Sequence, residues 1–173
     1  MSYSAKYQTF PMSADLFKGY DVKTIHREFF EDDLIDNADE DGCCYFAFTT
    51  QTLDLDEEIK FVLFQFDSKI VACGLLIDID HFEEMDEEGF IGAYVFNASS
   101  IVTFSPVGLE EFKSVYPGIK KLGVQPQLLD EKRFGQFVDF LRPRLLNIAS
   151  EDFTPQAWIK DQLEAIEVAQ TEE

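Results

Sequence analysis

The segment IKFVLFQFDSKIVACGLLID, residues 59–78, sets the strongest limit on what this chain can fold into. Two almost unbroken apolar runs flank the polar turn Asp67-Ser68-Lys69. Their length and their β-branched and aromatic content predict two strands, 59–66 and 69–79, joined by a short turn. Neither run alternates cleanly between apolar and polar residues. Each strand is therefore expected to be buried on both faces, as in a small barrel or a sheet covered on both sides. Gly74 lies inside the second run, where a glycine marks a bulge or the close approach of another backbone or a ligand.

The rest of the chain fits around this hairpin. Residues 1–20 read as irregular, punctuated by Pro11 and Gly19. Residues 22–35 predict a helix with Val22, Ile25, Phe29 and Ile35 on its apolar side. A polar loop at 36–42 leads to a strand at 43–50. An acidic loop at 81–90 precedes short strands at 91–97 and 101–104. Residues 109–116 predict a short helix with Leu109, Phe112, Val115 and Tyr116 on one face, ended by Pro117-Gly118. Residues 119–129 read as extended. Asp130 is the expected N-cap of a helix to about Leu141, with Phe134, Phe137, Val138 and Leu141 turned inward. Thr154-Pro155 opens a last helix. Strands gather in the middle rather than alternating with helices, so the expected class is α+β: a small, curved, partly closed mixed β-barrel with flanking helices. The expected layout is one domain, with an N-terminal arm and helix at 1–42, a β-barrel core at 43–129 and C-terminal helices packed on it at 130–173.

Composition supports a packed core and an unusual surface. The chain has 173 residues, 46% of them hydrophobic, and 18 phenylalanines against one tryptophan. Fourteen Lys and Arg face 34 Asp and Glu, for a net charge of −20. So acidic a chain repels polyanions and anionic membranes at long range. The charge is also uneven. Residues 28–88 hold 20 acids and two bases, whereas residues 113–144 hold seven bases and three acids. Asp32, Asp33, Glu83, Glu84, Asp86, Glu87 and Glu88 are the candidate acidic face for a basic partner. Lys113, Lys120, Lys121, Lys132, Arg133, Arg142 and Arg144 are the candidate basic contact patch for nucleic acid. No run of 18 apolar residues is present, and no membrane association is expected. Three cysteines, Cys43, Cys44 and Cys73, form no disulfide framework; free thiols and a cytoplasmic location are expected.

The sequence offers little catalytic chemistry. Its two histidines, His26 and His81, are tied by no motif to a nucleophile, and no G-x-S-x-G, phosphate-binding glycine loop or H-E-x-x-H occurs. Asn37-x-Asp39-x-Asp41-Gly42 opens like an EF-hand loop, but position twelve is Phe48 where a bidentate glutamate is required. Asp78, Asp80, His81, Glu83 and Glu84 form a second acidic group, read as a solvated loop. No catalytic residue, metal or cofactor is expected.

The runs EIKFVLFQFDSKIVACGLLIDI and GFIGAYVFNASSIVTFSPVGLEEF resemble the β-barrel modules of the PUA-like superfamily, which includes EVE and YTH domains. The resemblance spans about residues 43–129. It implies a non-enzymatic binding module whose barrel pocket receives a nucleobase, in many cases a modified one, often in a bacterial or phage defence setting. It points to Phe46, Phe48, Tyr94 and Phe96 as ligand-binding aromatics, with Ser99 and Ser100 as polar contacts. The competing expectation is an acidic DNA-mimic, anti-restriction or immunity-type protein that occupies the basic cleft of an enzyme. A metal-using enzyme built on the acidic loop ranks third.

Overall fold

The computed structural model describes residues 5–13, 16–54 and 59–146. The helix expected from Thr154 lies outside them. The fold is α+β. Its strands are β1 (Ala5–Pro11), β2 (Cys43–Phe48), β3 (Ile59–Phe66), β4 (Lys69–His81), β5 (Gly92–Asn97), β6 (Val102–Val107) and β7 (Leu128–Leu129). Between β1 and β2, one α-turn, Val22–Thr24, runs into a π-helix, Ile25–Ile35; together they are called α1. Two further helices are α2 (Leu109–Val115) and α3 (Phe134–Leu141).

The seven strands of the described residues join one mixed sheet in the order β2-β5-β4-β3-β1-β7, with β6 paired to β4 as a branch. Among the described residues the path stays open between β2 and β7. The β3–β4 hairpin forms as expected. Asp67 and Ser68 both take positive φ, 52° and 58°, the twist-matched geometry of a two-residue hairpin turn. Burial on both faces also holds. Phe61 and Leu63 of β3 face a core shared with α2 and α3. Val62, Phe64 and Phe66 face a second core shared with α1, β2 and β5. A strand sandwiched in this way carries apolar residues on both faces, which removes the alternation.

β4 is the spine of the fold, and it is irregular. On its side opposite β3 it pairs first with β6 and then with β5. Val71 falls out of register with both β3 and β6. Ile77 is skipped in the pairing with β5. Between the two ladders the partner chain leaves β4 through a 3₁₀ turn, Ala98–Ser100. There the Ser100 hydroxyl accepts from the Leu75 N–H at 2.8 Å and donates to the Asn97 carbonyl at 2.6 Å. One side chain thus satisfies two backbone groups that the broken ladder would strand. Gly74 marks the same break: a Cβ there would lie 2.6 Å from Ile101 Cδ1.

Two sequence expectations are corrected. Residues 5–11 form a strand, not an irregular arm, and pair in parallel with β3 from Ala5↔Ile59 to Pro11↔Gln65. Gln8 and Thr9 are buried there, so no hydrophobic pattern announces the strand. The helix buries Ile25, His26, Phe30 and Leu34, while Val22, Phe29 and Ile35 are only half-buried. A π-helix closes its bonds from i to i+5, as Asp36 N–H to the Glu31 carbonyl shows at 2.8 Å. The wider turn rotates the buried face away from that of a 3.6-residue repeat. Of the stretch 119–129, only Leu128–Leu129 pairs as a strand.

Candidate functional site

A cleft of about 590 Å³ opens where β1, β2, β5 and the end of β3 meet the 122–124 loop. Its floor is aromatic. Pairing sets Phe46 opposite Tyr94 and Phe48 opposite Gly92, so alternation carries these rings to one face of the sheet. Tyr94 stands 4.5 Å from Phe48 and 6.2 Å from Phe46 between ring centroids, and Phe10 of β1 packs edge-on against Tyr94 at 5.4 Å. These residues are nearly closed to solvent. They are core residues that back the cleft and leave it little open ring surface.

The floor is held from behind by hydrogen bonds. The Tyr94 hydroxyl accepts from the backbone N–H of Thr52 at 2.7 Å and of Leu53 at 3.0 Å. This fixes the 49–54 segment, whose Thr49, Thr50 and Thr52 form part of the rim. Gly92 lets Phe48 and the Asp80 carbonyl close in, 2.6 Å and 2.5 Å from where its Cβ would stand. The opposite wall carries Gln65, Asp67, Ser68, Gly123 and Val124. The Gln65 Nε2 donates to the Gly123 carbonyl at 2.8 Å, whereas its Oε1 is buried with no partner among the described residues. Among the described lining residues Asp67 alone carries a charge.

Of the six residues expected to bind a ligand, Phe46, Phe48 and Tyr94 meet at this cleft. The other three do not line it. Phe96 is fully buried against Phe64, 5.2 Å between centroids. Ser99 is exposed and donates to Asn97 Oδ1 at 3.0 Å. Ser100 is fully buried and committed to the break in β4. Gln65, Phe10 and the Gly123–Val124 wall escaped the sequence reading. The one available signal was Gln65 itself, a polar residue inside the apolar run FVLFQF.

The seven bases do not form one patch at the cleft. Lys120 and Lys121 adjoin its wall in the chain, just before Leu122. The three arginines belong to the helical side and are engaged: Arg133 with Asp130 at 3.6 Å, Arg142 with Asp139 at 4.0 Å, and Arg144 with Glu111 while lying over the Phe140 ring. Arg133 also lines a smaller hollow of about 300 Å³ with Tyr116 and Leu128. Lys113 lies on α2 and Lys132 in the turn before α3.

The acidic residues also divide. Asp32 and Asp33 are exposed on α1, whose end leads through 36–42 into the start of β2. Glu83, Glu84, Asp86, Glu87 and Glu88 are exposed on the β4–β5 loop. That loop meets the other end of β2, where Ile91 N–H donates to the Phe48 carbonyl at 3.0 Å. Asp39 is occupied within its own loop. Its carboxylate accepts from Tyr45 Oη at 2.6 Å and from the N–H groups of Asp41 and Cys43 at 3.0 Å. The Tyr45 hydroxyl bond, then the backbone donors, hold the Asp39 carboxyl below the usual range. The same bond pushes Tyr45 up to about 12. His81 pairs with Gln51 Oε1 at 2.8 Å. Among the described residues no group of three or more His, Cys, Asp or Glu is arranged to hold a metal ion, and no helix is long and apolar enough to cross a membrane.

All three cysteines are free. Burial pushes the Cys44 and Cys73 thiols up to about 12, so neither offers a thiolate near neutral pH.

No family model matches the chain, and no curated protein matches it in sequence. Two solved structures are similar to it over most of their length. One is the crystal structure of ASCH from Zymomonas mobilis, at 9% identity and a TM-score of 0.43, covering 78% of this chain and 94% of that one. The other is a tyrosine-to-phenylalanine mutant of the same protein, at 9% identity and a TM-score of 0.44, covering 78% and 97%. At these values neither carries a residue-by-residue correspondence to this chain.

Proposed function

We propose that this chain is a binding module whose cleft takes a flat, uncharged nitrogen heterocycle of nucleobase size. The observation that carries the reading is the cleft itself, backed by the rings of Phe10, Phe46, Phe48 and Tyr94 and edged by a polar wall and a threonine rim. Its volume of about 590 Å³ falls within the usual span of small-molecule sites, and an apolar body with a few placed polar groups is their usual composition. Flat bases are held elsewhere by aromatic contact together with hydrogen bonds to their edges. Asp67 on the wall, with no described cation among the lining residues, favours a neutral or cationic occupant over a phosphate.

The sequence resemblance to PUA-like modules supplies the finer reading: a base, in some settings a modified one, presented from a single strand in a bacterial or phage defence context. In that case Lys120 and Lys121, adjoining the wall, are the bases placed to meet a flanking phosphate. Their effect on affinity would weaken with salt.

The test is calorimetric titration of the full chain with the common nucleosides, repeated on Thr50→Trp, which sets an indole on the exposed rim. The expected result is saturable binding that weakens at least about tenfold in the variant, at an unchanged melting temperature. Absence of binding, or binding untouched by the rim substitution, overturns the reading.

A further inference from the structure

Among the described residues the sheet ends in two unlike strands. β7 ends one side with only two residues, Leu128–Leu129. β2 ends the other with six, Cys43–Phe48, in unbroken register with β5. The backbone directions of β2 are set at both of its ends. The carbonyls of Gly42 and Phe48 accept from the N–H groups of Ala98 and Ile91, on the β5 side. Cys43 turns the other way: its N–H donates to Asp39 Oδ1 at 3.0 Å, and its carbonyl accepts from the Asp39 N–H at 2.9 Å. These directions alternate along a strand of an antiparallel pair, so the N–H and C=O groups of Tyr45 and Ala47 point away from the sheet. No described group bonds to these four.

Free edges are usually blunted by a lysine, a proline, a bulge or short length. The β2 segment CCYFAF has none of these. Its surroundings are acidic instead. On the sheet face away from the aromatic core, Tyr45 aligns with Val95 and Asp78, and Ala47 with Ala93 and Asp80. Both aspartates are exposed. Burial raises the Cys43 thiol, and Asp39, Asp41 and Asp78 lie close enough to raise it further. The exposed acids of the β4–β5 loop stand at the Phe48 end of the strand. The two bases of residues 28–88, Lys60 and Lys69, belong to β3 and β4 and leave this charge unbalanced at β2. Tyr45 is 47% exposed, and its hydroxyl donates to Asp39 Oδ2 at 2.6 Å. That bond holds a ring beside the free edge, where a cation can cover it.

We infer that the β2 edge docks an extended basic segment of another protein, which joins the sheet as a further strand beside Tyr45 and Ala47. The four outward backbone groups fix its register, and alternate Lys or Arg side chains of the segment meet the acidic face and the Tyr45 ring. A second copy of this chain is a poor occupant, because it would bring the same acids to the same edge. The surface is distinct from the cleft. The cleft uses Phe46 and Phe48 of β2, whose side chains point to the opposite face of the sheet from those of Tyr45 and Ala47.

The experiment titrates the isotope-labelled full chain with blocked peptides of strand length, about six residues. One alternates lysine and valine, one is the same sequence with its backbone amides N-methylated, and one alternates glutamate and valine. The basic peptide is expected to bind saturably and to protect the Tyr45 and Ala47 N–H groups from hydrogen exchange. Its binding should weaken at least about tenfold on N-methylation, and again in Ala47→Pro, which removes one outward N–H and leaves the pairing with β5 intact. The acidic peptide should not bind. Equal binding of the N-methylated peptide reports charge attraction alone and overturns the inference. That comparison needs no substitution, so it decides even if Ala47→Pro fails to fold. Unchanged binding in a folded Ala47→Pro, protection confined to amides elsewhere, or no binding of the basic peptide also overturns it. So does protection of Tyr45 and Ala47 already present in the chain alone, which would mean that a second copy or another segment of the chain holds the edge.

Discussion

The carbonyl of Val71, pushed out of both neighbouring ladders by a bulge, accepts a hydrogen bond from His26 Nε2 at 2.8 Å. A carbonyl cannot donate, so Nε2 carries the ring proton. The contact docks α1 onto the sheet at the point where β4 has an orphan acceptor, and His26 is buried beside Phe30. His26→Leu keeps an apolar side chain but strands the Val71 carbonyl. It should cost about 1–3 kcal/mol, read by urea unfolding, whereas His26→Gln, whose amide still donates, should cost less.

The same histidine gives stability a pH dependence of definite sign. Burial, opposed by the Val71 bond and by Glu31 on the same helix, holds its pKa below the ordinary 6.5. The unfolded chain therefore takes up a proton before the folded one does. Stability contributed by neutral His26 is complete above about pH 6.5 and declines as pH falls toward the lowered folded value. Asp21 and Asp39, both held below the usual 3.8, add their own loss only in more acidic solution. Urea midpoints measured between pH 5 and 7 should slope in the unsubstituted chain and flatten in His26→Gln.

Ser100 tests the break in β4. Ser100→Ala removes the acceptor of the Leu75 N–H and the donor to the Asn97 carbonyl in a fully buried position. A loss of about 1–3 kcal/mol is expected, with no loss of ligand binding, because Ser100 does not line the cleft. A variant that unfolds normally but binds nothing would return Ser100 to the ligand site.

Gly92 couples packing to the cleft floor. In Gly92→Ala the new Cβ would stand 2.5 Å from the Asp80 carbonyl oxygen and 2.6 Å from Phe48 Cζ. Moving the Phe48 ring relieves only one of these contacts; the other is with backbone, so the β4–β5 pairing must also give way. Overpacking of this kind costs about 1–3 kcal/mol. Thermal melts should show that loss, and affinity at the cleft should fall with it.

The sequence disclosed what depends on local pattern and hid what depends on partners. The β3–β4 hairpin was legible because two apolar runs meet at Asp67-Ser68, and the inward faces of α2 and α3 because their period is regular. β1 was not, since Gln8 and Thr9 become buried only through pairing, with Thr9 bonded to Gln127 far along the chain. The buried face of α1 was misread because nothing local marks a π-helix. At the cleft, aromatic content pointed to Phe46, Phe48 and Tyr94. Gln65 becomes a site residue only when Gly123, 58 positions away, fixes its amide.

The most direct test of the central claim is a backbone amide NMR titration of the labelled chain with uridine and with adenosine. Shifts gathered at Phe46–Thr52, Gln65–Ser68 and Leu122–Val124 are the predicted result. Shifts confined to the helical bases Lys113, Lys132, Arg133, Arg142 and Arg144, or no saturable shift at all, would contradict the account.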